Sequence, residues 1–212
     1  KNPVIITDAG LGREEVALLA DLALLCGNSG RPGSGLLVLQ PHANGAGQRL
    51  AGVAPHLLTG ARPVTDAAAR QKHAGLWGKE LPEGRNTSLP ETVDGLVVLA
   101  GGEELELGSL FPKQPFTVLL TPVLTNGLTK ANIILPGAGF AETAGTFVNA
   151  EGRWQELRPA LVAPGGKQNW EIIAALLGAL GQPQSYAGPE AVRAEILALM
   201  EEEEVGLSLA QK

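Results

Sequence analysis

The chain has 212 residues, of which 44% are hydrophobic and 18% are charged. This balance predicts one large or two small globular domains with a hydrophobic core, and a single cysteine excludes a scaffold held by internal disulfides. The formal net charge is −6, and no basic stripe is visible in the sequence. The composition therefore argues against nucleic acid as a partner, because duplex binding needs clustered Lys and Arg to displace counterions.

The first half of the chain alternates short apolar runs with helical segments. Val4–Thr7 is a β-branched run, which is typical of a strand buried on both faces of a parallel sheet. A helix is predicted over Glu14–Leu25, with acidic residues in its first turn. A second strand is predicted at Leu36–Leu39 and a second helix over Val64–Trp77. The strand–helix–strand order predicts a right-handed βαβ unit.

The second half is predicted to contain three more strands, a hairpin and two helices. The three strands are predicted at Leu96–Leu99, Phe116–Leu120 and Ile133–Leu135. The hairpin strands are Thr146–Asn149 and Trp154–Leu157, and the helices are Trp170–Leu180 and Pro189–Glu203.

The order of elements predicts an α/β fold, with a Rossmann-like, doubly wound and mostly parallel sheet that carries helices on both faces. We expect residues 1–130 to form the Rossmann-like domain. Residues 131–212 would then contain a glycine-rich loop, the hairpin and the C-terminal helices. The only methionine is Met200, so we expect the chain to be a piece of a longer protein.

A glycine-containing turn separates the first strand from the first helix. Gly10 and Gly12 stand where backbone N–H groups at a helix N-terminus can bind phosphate. A dinucleotide fingerprint needs a third glycine three residues after Gly12, and Glu15 occupies that position. The turn therefore favours a plain strand-to-helix connection.

The histidines and the cysteine show no pattern of a metal or catalytic site. His42, His56 and His73 lie on different predicted elements, and none is at metal-ligand spacing from another histidine or from Cys26. We expect each histidine at the surface or in a loop. Cys26 ends an apolar helix, where a free thiol is usually a small core residue. The sequence predicts no metal site and no catalytic residue in this chain.

Polar side chains are concentrated in the segment that follows the strand ending at Pro136. The segment supplies Glu142, Asn149, Glu151, Arg153 and Gln155. Side chains beside the carboxyl end of a strand are placed to contact a ligand in the crevice of an open sheet. The alternative is a loop whose polar groups satisfy its own backbone.

This segment resembles a motif of the molybdopterin oxidoreductase superfamily. The motif L-P-x-x-x-x-A-E-x-x-G-T-x-x-N-x-E-G-R-x-Q corresponds here to Leu135, Pro136, Ala141, Glu142, Gly145, Thr146, Asn149, Glu151, Gly152, Arg153 and Gln155. Residues 23–35 resemble the family's A-L-L-T-G-N-x-G-K-P-G-x-G, and residues 170–173 resemble its W-E-I-I helix. The resemblance covers nearly the whole chain.

The resemblance allows a cofactor in the parent protein, whereas we expect none in this chain itself. Family members hold molybdopterin guanine dinucleotide, and if the parent retains it, the residues that would approach its nucleotide end here are Gly10, Gly12, Asn44 and Gly47. Iron–sulfur clusters would lie in an N-terminal part that this chain lacks. Formate dehydrogenases carry the segment G-Q-N-N-x-Q-G-A, of which this chain keeps only Asn44 and Gly47.

The degraded segment makes the chain more similar to the large iron–sulfur subunit, the 75 kDa subunit, of NADH:quinone oxidoreductase (NADH dehydrogenase). That resemblance implies a scaffold without a metal site of its own, which contacts other subunits of a redox complex. It also implies a cytoplasmic location, peripheral to the inner face of the membrane, without direct membrane insertion. One alternative is the bis-molybdopterin guanine dinucleotide-binding part of a formate dehydrogenase-like oxidoreductase. A second is a free-standing nucleotide-binding domain, which would need an intact phosphate loop.

Overall fold

The computed structural model describes residues 3–8, 10–30, 33–39, 41–81, 91–102 and 105–200. These residues divide into two compact units, with boundaries after residues 84, 145, 155 and 195. The first unit contains the described residues before 85, residues 146–155 and those after 195; the second contains the rest. The division predicted at residue 130 stays a prediction.

The elements follow one another in the predicted alternation of strands and helices. In chain order they are β1 (Val4–Thr7), α1 (Arg13–Leu25), β2 (Gly35–Val38), α2 (Gly45–Leu50), β3 (Leu57–Leu58), β4 (Arg62–Pro63), α3 (Ala67–Trp77), β5 (Gly95–Leu99), β6 (Phe116–Thr121), β7 (Ile133–Pro136), β8 (Gly145–Val148), β9 (Trp154–Leu157), α4 (Asn169–Ala179) and α5 (Pro189–Leu199). Within the described ranges, none of the helices has both the length and the apolarity to cross a bilayer.

The strands pair mostly in parallel, which confirms the α/β class. β1 is parallel to β2, and β5, β6 and β7 form a parallel sheet in that order. β3 and β4 form a small antiparallel pair, and β8 pairs with β9 as the predicted hairpin. The described strands thus form four hydrogen-bonded sheets, two of them parallel.

Each parallel sheet has an edge strand with one open apolar face. In β1, Val4 is 47% exposed and Ile6 is 62% exposed, and in β5, Val97 is 51% and Leu99 is 61% exposed. α1 packs against β2, but no described element covers the Val4 and Ile6 side chains. The prediction that the first strand is buried on both faces is therefore wrong for the described residues.

The core of the second unit centres on β6. Leu107, Leu119 and Leu128 are fully buried and pack together, with Val98 among the partly buried residues against them. Gly127 precedes Leu128, and a Cβ atom at this position would overlap the carbonyl oxygen of Leu105. Close approach of two backbone segments thus requires glycine here and lets Leu128 reach the core.

Helix α3 has a well-defined start and end. Asp66 occupies the N-cap position, and its carboxylate accepts the Ala69 N–H at 3.1 Å and the Arg62 Nε–H at 2.9 Å. The hydrogen bond from Ala69, followed by that from Arg62, lowers the pKa of Asp66 below its ordinary value of 3.8. The helix ends at Gly78, whose φ of 64° is the left-handed conformation that glycine adopts freely.

Two side chains lie in environments that the sequence did not predict. His73, expected at the surface, is 1% exposed on α3. Its Nδ1 lies 2.8 Å from the Ala69 carbonyl oxygen, and its ring meets Trp77 edge-on at 5.1 Å. The Ala69 carbonyl thus pairs with one ring nitrogen, whereas the buried Nε2 makes no hydrogen bond among the described residues. Cys26, expected in the core, is exposed at the C-cap position of α1.

Titration of the Tyr186 hydroxyl tests its contact with Glu195 of α5. Its hydroxyl donates to Glu195 Oε2 at 2.8 Å, and burial, followed by the Glu195 carboxylate, raises its pKa from 10.0 to about 12. Because the folded-state pKa is raised, the neutral phenol stabilises the fold fully below pH 10, and this contribution is lost as the pH rises towards 12. Tyr186 is the only tyrosine, so the ultraviolet absorbance of phenolate reports it alone.

We expect phenolate to appear with a midpoint near pH 12, and a Glu195→Gln variant to shift that midpoint down because the repelling charge is gone. A midpoint at the ordinary value of 10.0 in both proteins would contradict the assigned contact.

Candidate functional site

The turn between β1 and α1 is already occupied by carboxylates of this chain. The Gly10 N–H donates to Asp8 Oδ1 at 2.9 Å, and the Gly12 N–H donates to the Glu15 carboxylate. Gly12 is the N-cap of α1, and its N–H is one of the groups that a phosphate would use at a helix N-terminus, whereas Gly10 lies two residues before it. Two carboxylates thus accept backbone N–H groups of this turn, and their negative charge makes it a poor fit for the pyrophosphate of a dinucleotide.

Asn44 and Gly47 lie together at the start of α2. Asn44 is the residue before the helix, and its Oδ1 accepts the Val148 N–H of β8 at 2.9 Å. Gly47 lies in the first turn, where a Cβ atom would overlap the Asn44 side chain. The structure thus brings together Asn44 and Gly47, which were predicted to contact the nucleotide. The Asn44 side-chain oxygen is hydrogen-bonded to β8. Their binding of a dinucleotide stays a prediction.

The loop after β7, residues 137–144, is held by the side chain of Asn169. The buried Ala138 donates its N–H to Asn169 Oδ1 at 2.7 Å, and its carbonyl accepts from Asn169 Nδ2 at 2.9 Å. Within the loop, the Gly139 N–H donates to Glu142 Oε2 at 2.9 Å. Glu142 therefore acts on its own backbone, as the alternative of an internally hydrogen-bonded loop predicts.

A second amide holds the same loop from the N-cap of α4. Gln168 Nε2 donates to the Glu142 carbonyl at 2.8 Å, and Gln168 Oε1 accepts the Ala144 N–H at 2.9 Å. The Gln168 N–H in turn donates to Glu171 Oε2 at 2.6 Å. The start of α4 is thus occupied by the loop. The sequence analysis did not identify Gln168 and Asn169 as residues that hold the loop. Their position directly before the W-E-I-I motif, at the start of a helix, could have pointed to them.

In the β8–β9 turn, the side chain of Asn149 bonds the backbone of the turn, whereas the side chains of Glu151 and Arg153 are exposed to solvent. Asn149 Oδ1 accepts the N–H groups of Glu151 at 3.0 Å and of Arg153 at 2.9 Å. The Glu151 and Arg153 side chains are 65% and 64% exposed and 4.0 Å apart, so this ion pair contributes little stability. Gln155 is exposed on β9, and Gly145 and Thr146 begin β8.

A cavity of about 360 Å³ lies beside the carboxyl end of β7 in the second unit. Its lining is mostly apolar and includes Leu135, Pro136, Pro164, Ile172 and Leu176, with Lys167 as the one charged lining residue. This lining can hold an apolar group but offers no acid–base pair. Across the described ranges, His, Cys, Asp and Glu form no group of three or more that could hold a metal ion.

Parts of the sequence motifs lie outside the described residues. This applies to Arg31 and Pro32 of the second motif, to Gln40 at the start of the degraded segment, and to the end of the predicted last helix beyond Met200. Glu142 and Gly145 belong to the second unit, whereas Thr146, Asn149, Glu151, Arg153 and Gln155 belong to the first.

Comparisons with known proteins agree with the resemblance. "Probable oxidoreductase YjgC" of Bacillus subtilis (strain 168) is 29% identical over 199 residues, which are 87% of this chain and 20% of that protein. A "Putative formate dehydrogenase" of Staphylococcus aureus (strain USA300) is 29% identical over 209 residues, 92% of this chain and 21% of that protein. The chain thus spans about a fifth of the length of these relatives. Since the family model described as "Molybdopterin oxidoreductase" matches residues 5–179, the chain belongs to the molybdopterin oxidoreductase family.

Proposed function

We propose that this chain is a scaffold part of the large subunit of a redox complex, similar in role to the large iron–sulfur subunit of NADH:quinone oxidoreductase, with no metal site of its own. The observation that carries the proposal is the occupied turn between β1 and α1. There the N–H groups of Gly10 and Gly12 donate to Asp8 and Glu15.

Electrostatics explain why this observation matters. A helix N-terminus attracts phosphate because its first N–H groups lack partners and carry partial positive charge. Glu15 accepts the N–H of the N-cap Gly12 and Asp8 accepts that of Gly10 just before it, so both place negative charge at this turn. A pyrophosphate would have to displace both carboxylates while repelled by them. The fit is therefore poor for the nucleotide end of the cofactor.

The motif loop supports the same proposal. Backbone groups of residues 137–144 are satisfied by Glu142 of the loop and by Gln168 and Asn169 at the start of α4. Such contacts stabilise architecture without exposing groups for chemistry. We further propose that the parent contacts other subunits of a redox complex on the cytoplasmic side and reaches the membrane only through them. Iron–sulfur clusters would lie elsewhere in the longer protein.

A formate dehydrogenase-like oxidoreductase is the second candidate, and the similarity to putative formate dehydrogenases of Staphylococcus aureus favours it. In that case Asn44 and Gly47 would lie near the guanine end of a bis-molybdopterin guanine dinucleotide, whose metal would supply the redox chemistry. A free-standing nucleotide-binding domain has less support, because its phosphate loop would be the occupied turn.

Metal and nucleotide content of the full-length parent separate the candidates. The protein is purified from its native host, molybdenum and tungsten are measured by mass spectrometry, and released guanine nucleotide is measured by chromatography. A formate dehydrogenase purified in parallel is the control for cofactor loss. We expect the control to retain metal and nucleotide and the parent to contain neither in stoichiometric amount. One metal ion and two guanine nucleotides per parent chain would refute the scaffold function and support the enzyme.

A further inference from the structure

We propose that Asn44 is a latch residue: its side chain joins α2 to the β8–β9 hairpin, and Gly47 is glycine because the latch needs the space. The contact links residues 104 positions apart within the first unit, Val148 N–H to Asn44 Oδ1 at 2.9 Å. The proposal rests on this geometry and does not depend on the scaffold function.

The direction of the Val148 N–H explains why the latch is needed. Successive N–H groups of a strand point to opposite edges. The Asn149 N–H points towards β9 and donates to the Arg153 carbonyl at 3.1 Å. The Val148 N–H therefore points to the other edge of β8, and among the described strands β8 pairs with β9 only. Val148 is 2% exposed, so its N–H needs an acceptor from the protein, and Asn44 provides it.

Asn44 accepts the Val148 N–H and does not cap its own helix. An asparagine before a helix normally accepts an N–H of the first turn through its side chain. Asn44 stands at the N-cap of α2 but makes no such bond. Its oxygen is directed at β8 instead, and the identity of the atom is fixed because the Val148 N–H can only donate.

Gly47 completes the arrangement. A Cβ atom here would meet the Oδ1, Cγ and Nδ2 atoms of Asn44 and no other residue among its nearest neighbours. Any side chain at this position would thus push the Asn44 amide away from Val148. Asn44 and Gly47, which resemble the cofactor segment of the family, therefore act together in holding the hairpin that displays Glu151 and Arg153.

Amide hydrogen exchange of the whole chain, resolved at Val148, tests the latch. We compare the wild type with Asn44→Ala, which removes the acceptor, Asn44→Asp, which keeps an acceptor oxygen, and Gly47→Ala. Asp66→Ala, which loses the α3 cap in the same unit, is the control for general destabilisation. Each rate is compared with that of an amide inside α1.

We expect Asn44→Ala and Gly47→Ala to speed exchange at Val148 by at least about tenfold relative to the α1 amide, since a lost hydrogen bond of ordinary strength corresponds to that factor. Asn44→Asp should keep most of the protection. Asp66→Ala should leave the ratio of the two rates unchanged. The latch is refuted if Asn44→Ala leaves Val148 as protected as in the wild type, or changes both amides equally as Asp66→Ala does. Neither result depends on whether the parent binds molybdenum.

Discussion

Replacing Leu119 with alanine is expected to lower the free energy of unfolding of the second unit by about 3–5 kcal/mol. Leu119 is fully buried at the centre of β6, between Leu107 and Leu128. The change removes apolar area from the core and leaves a cavity that the parallel sheet cannot close easily, because β5 and β7 hold β6 from both sides. Urea unfolding followed by circular dichroism measures the loss.

Leu99→Ala is the matched control for Leu119→Ala. Leu99 lies on the adjacent strand β5 and is 61% exposed, so its truncation should cost less than about 1 kcal/mol. Similar losses for the two variants would contradict the assignment of the core to β6.

Replacing Asn169 with alanine is expected to lower the free energy of unfolding by about 2–5 kcal/mol. The change leaves the N–H of Ala138 without its partner and leaves its carbonyl with only the long 3.5 Å contact from the Thr143 hydroxyl, and Ala138 is 4% exposed. Each buried group that loses its partner costs about 1–3 kcal/mol. The same urea titration measures the effect, and hydrogen exchange at the Ala138 amide should show local opening of the loop.

Asn169→Asp and Asn126→Ala are the comparison variants for Asn169→Ala. The aspartate keeps an acceptor for the Ala138 N–H but cannot donate to the Ala138 carbonyl, so we expect an intermediate loss. Asn126 is an exposed asparagine of the same unit, and its truncation should change stability by less than about 1 kcal/mol. Equal stability of Asn169→Ala and the wild type would show that the amide does not hold the loop.

Most strands and helices could be predicted from the sequence because they are apolar runs bounded by glycine, proline or capping residues. The strand predicted at Ile133–Leu135 is Ile133–Pro136, and the helix predicted over Trp170–Leu180 is Asn169–Ala179. The helix α2 was missed because its first turn, beginning at Gly45, contains two glycines, which have low helix propensity. The two-residue strands β3 and β4 are too short to show a period.

The hydrogen-bond partners of the motif residues could not be predicted from the sequence. The motif places Glu142 and Asn149 in one stretch of sequence, yet which backbone groups they satisfy depends on contacts that spacing cannot reveal. The acceptor for Val148 comes from Asn44, 104 positions away, and the two amides that hold the loop come from the next helix. Only Glu15 gave an early indication, because an acid at the third-glycine position already argued against a phosphate turn.

The hydrogen bonds of Glu142 and Asn149 bear on what a match to the family's sequence motif can show. Glu142 and Asn149 accept backbone N–H groups of the connection in which they lie, so their side chains have a folding role whether or not a cofactor is bound. A match to this signature therefore reports the architecture of the connection. Redox competence has to be diagnosed from residues whose polar atoms remain free to meet a ligand.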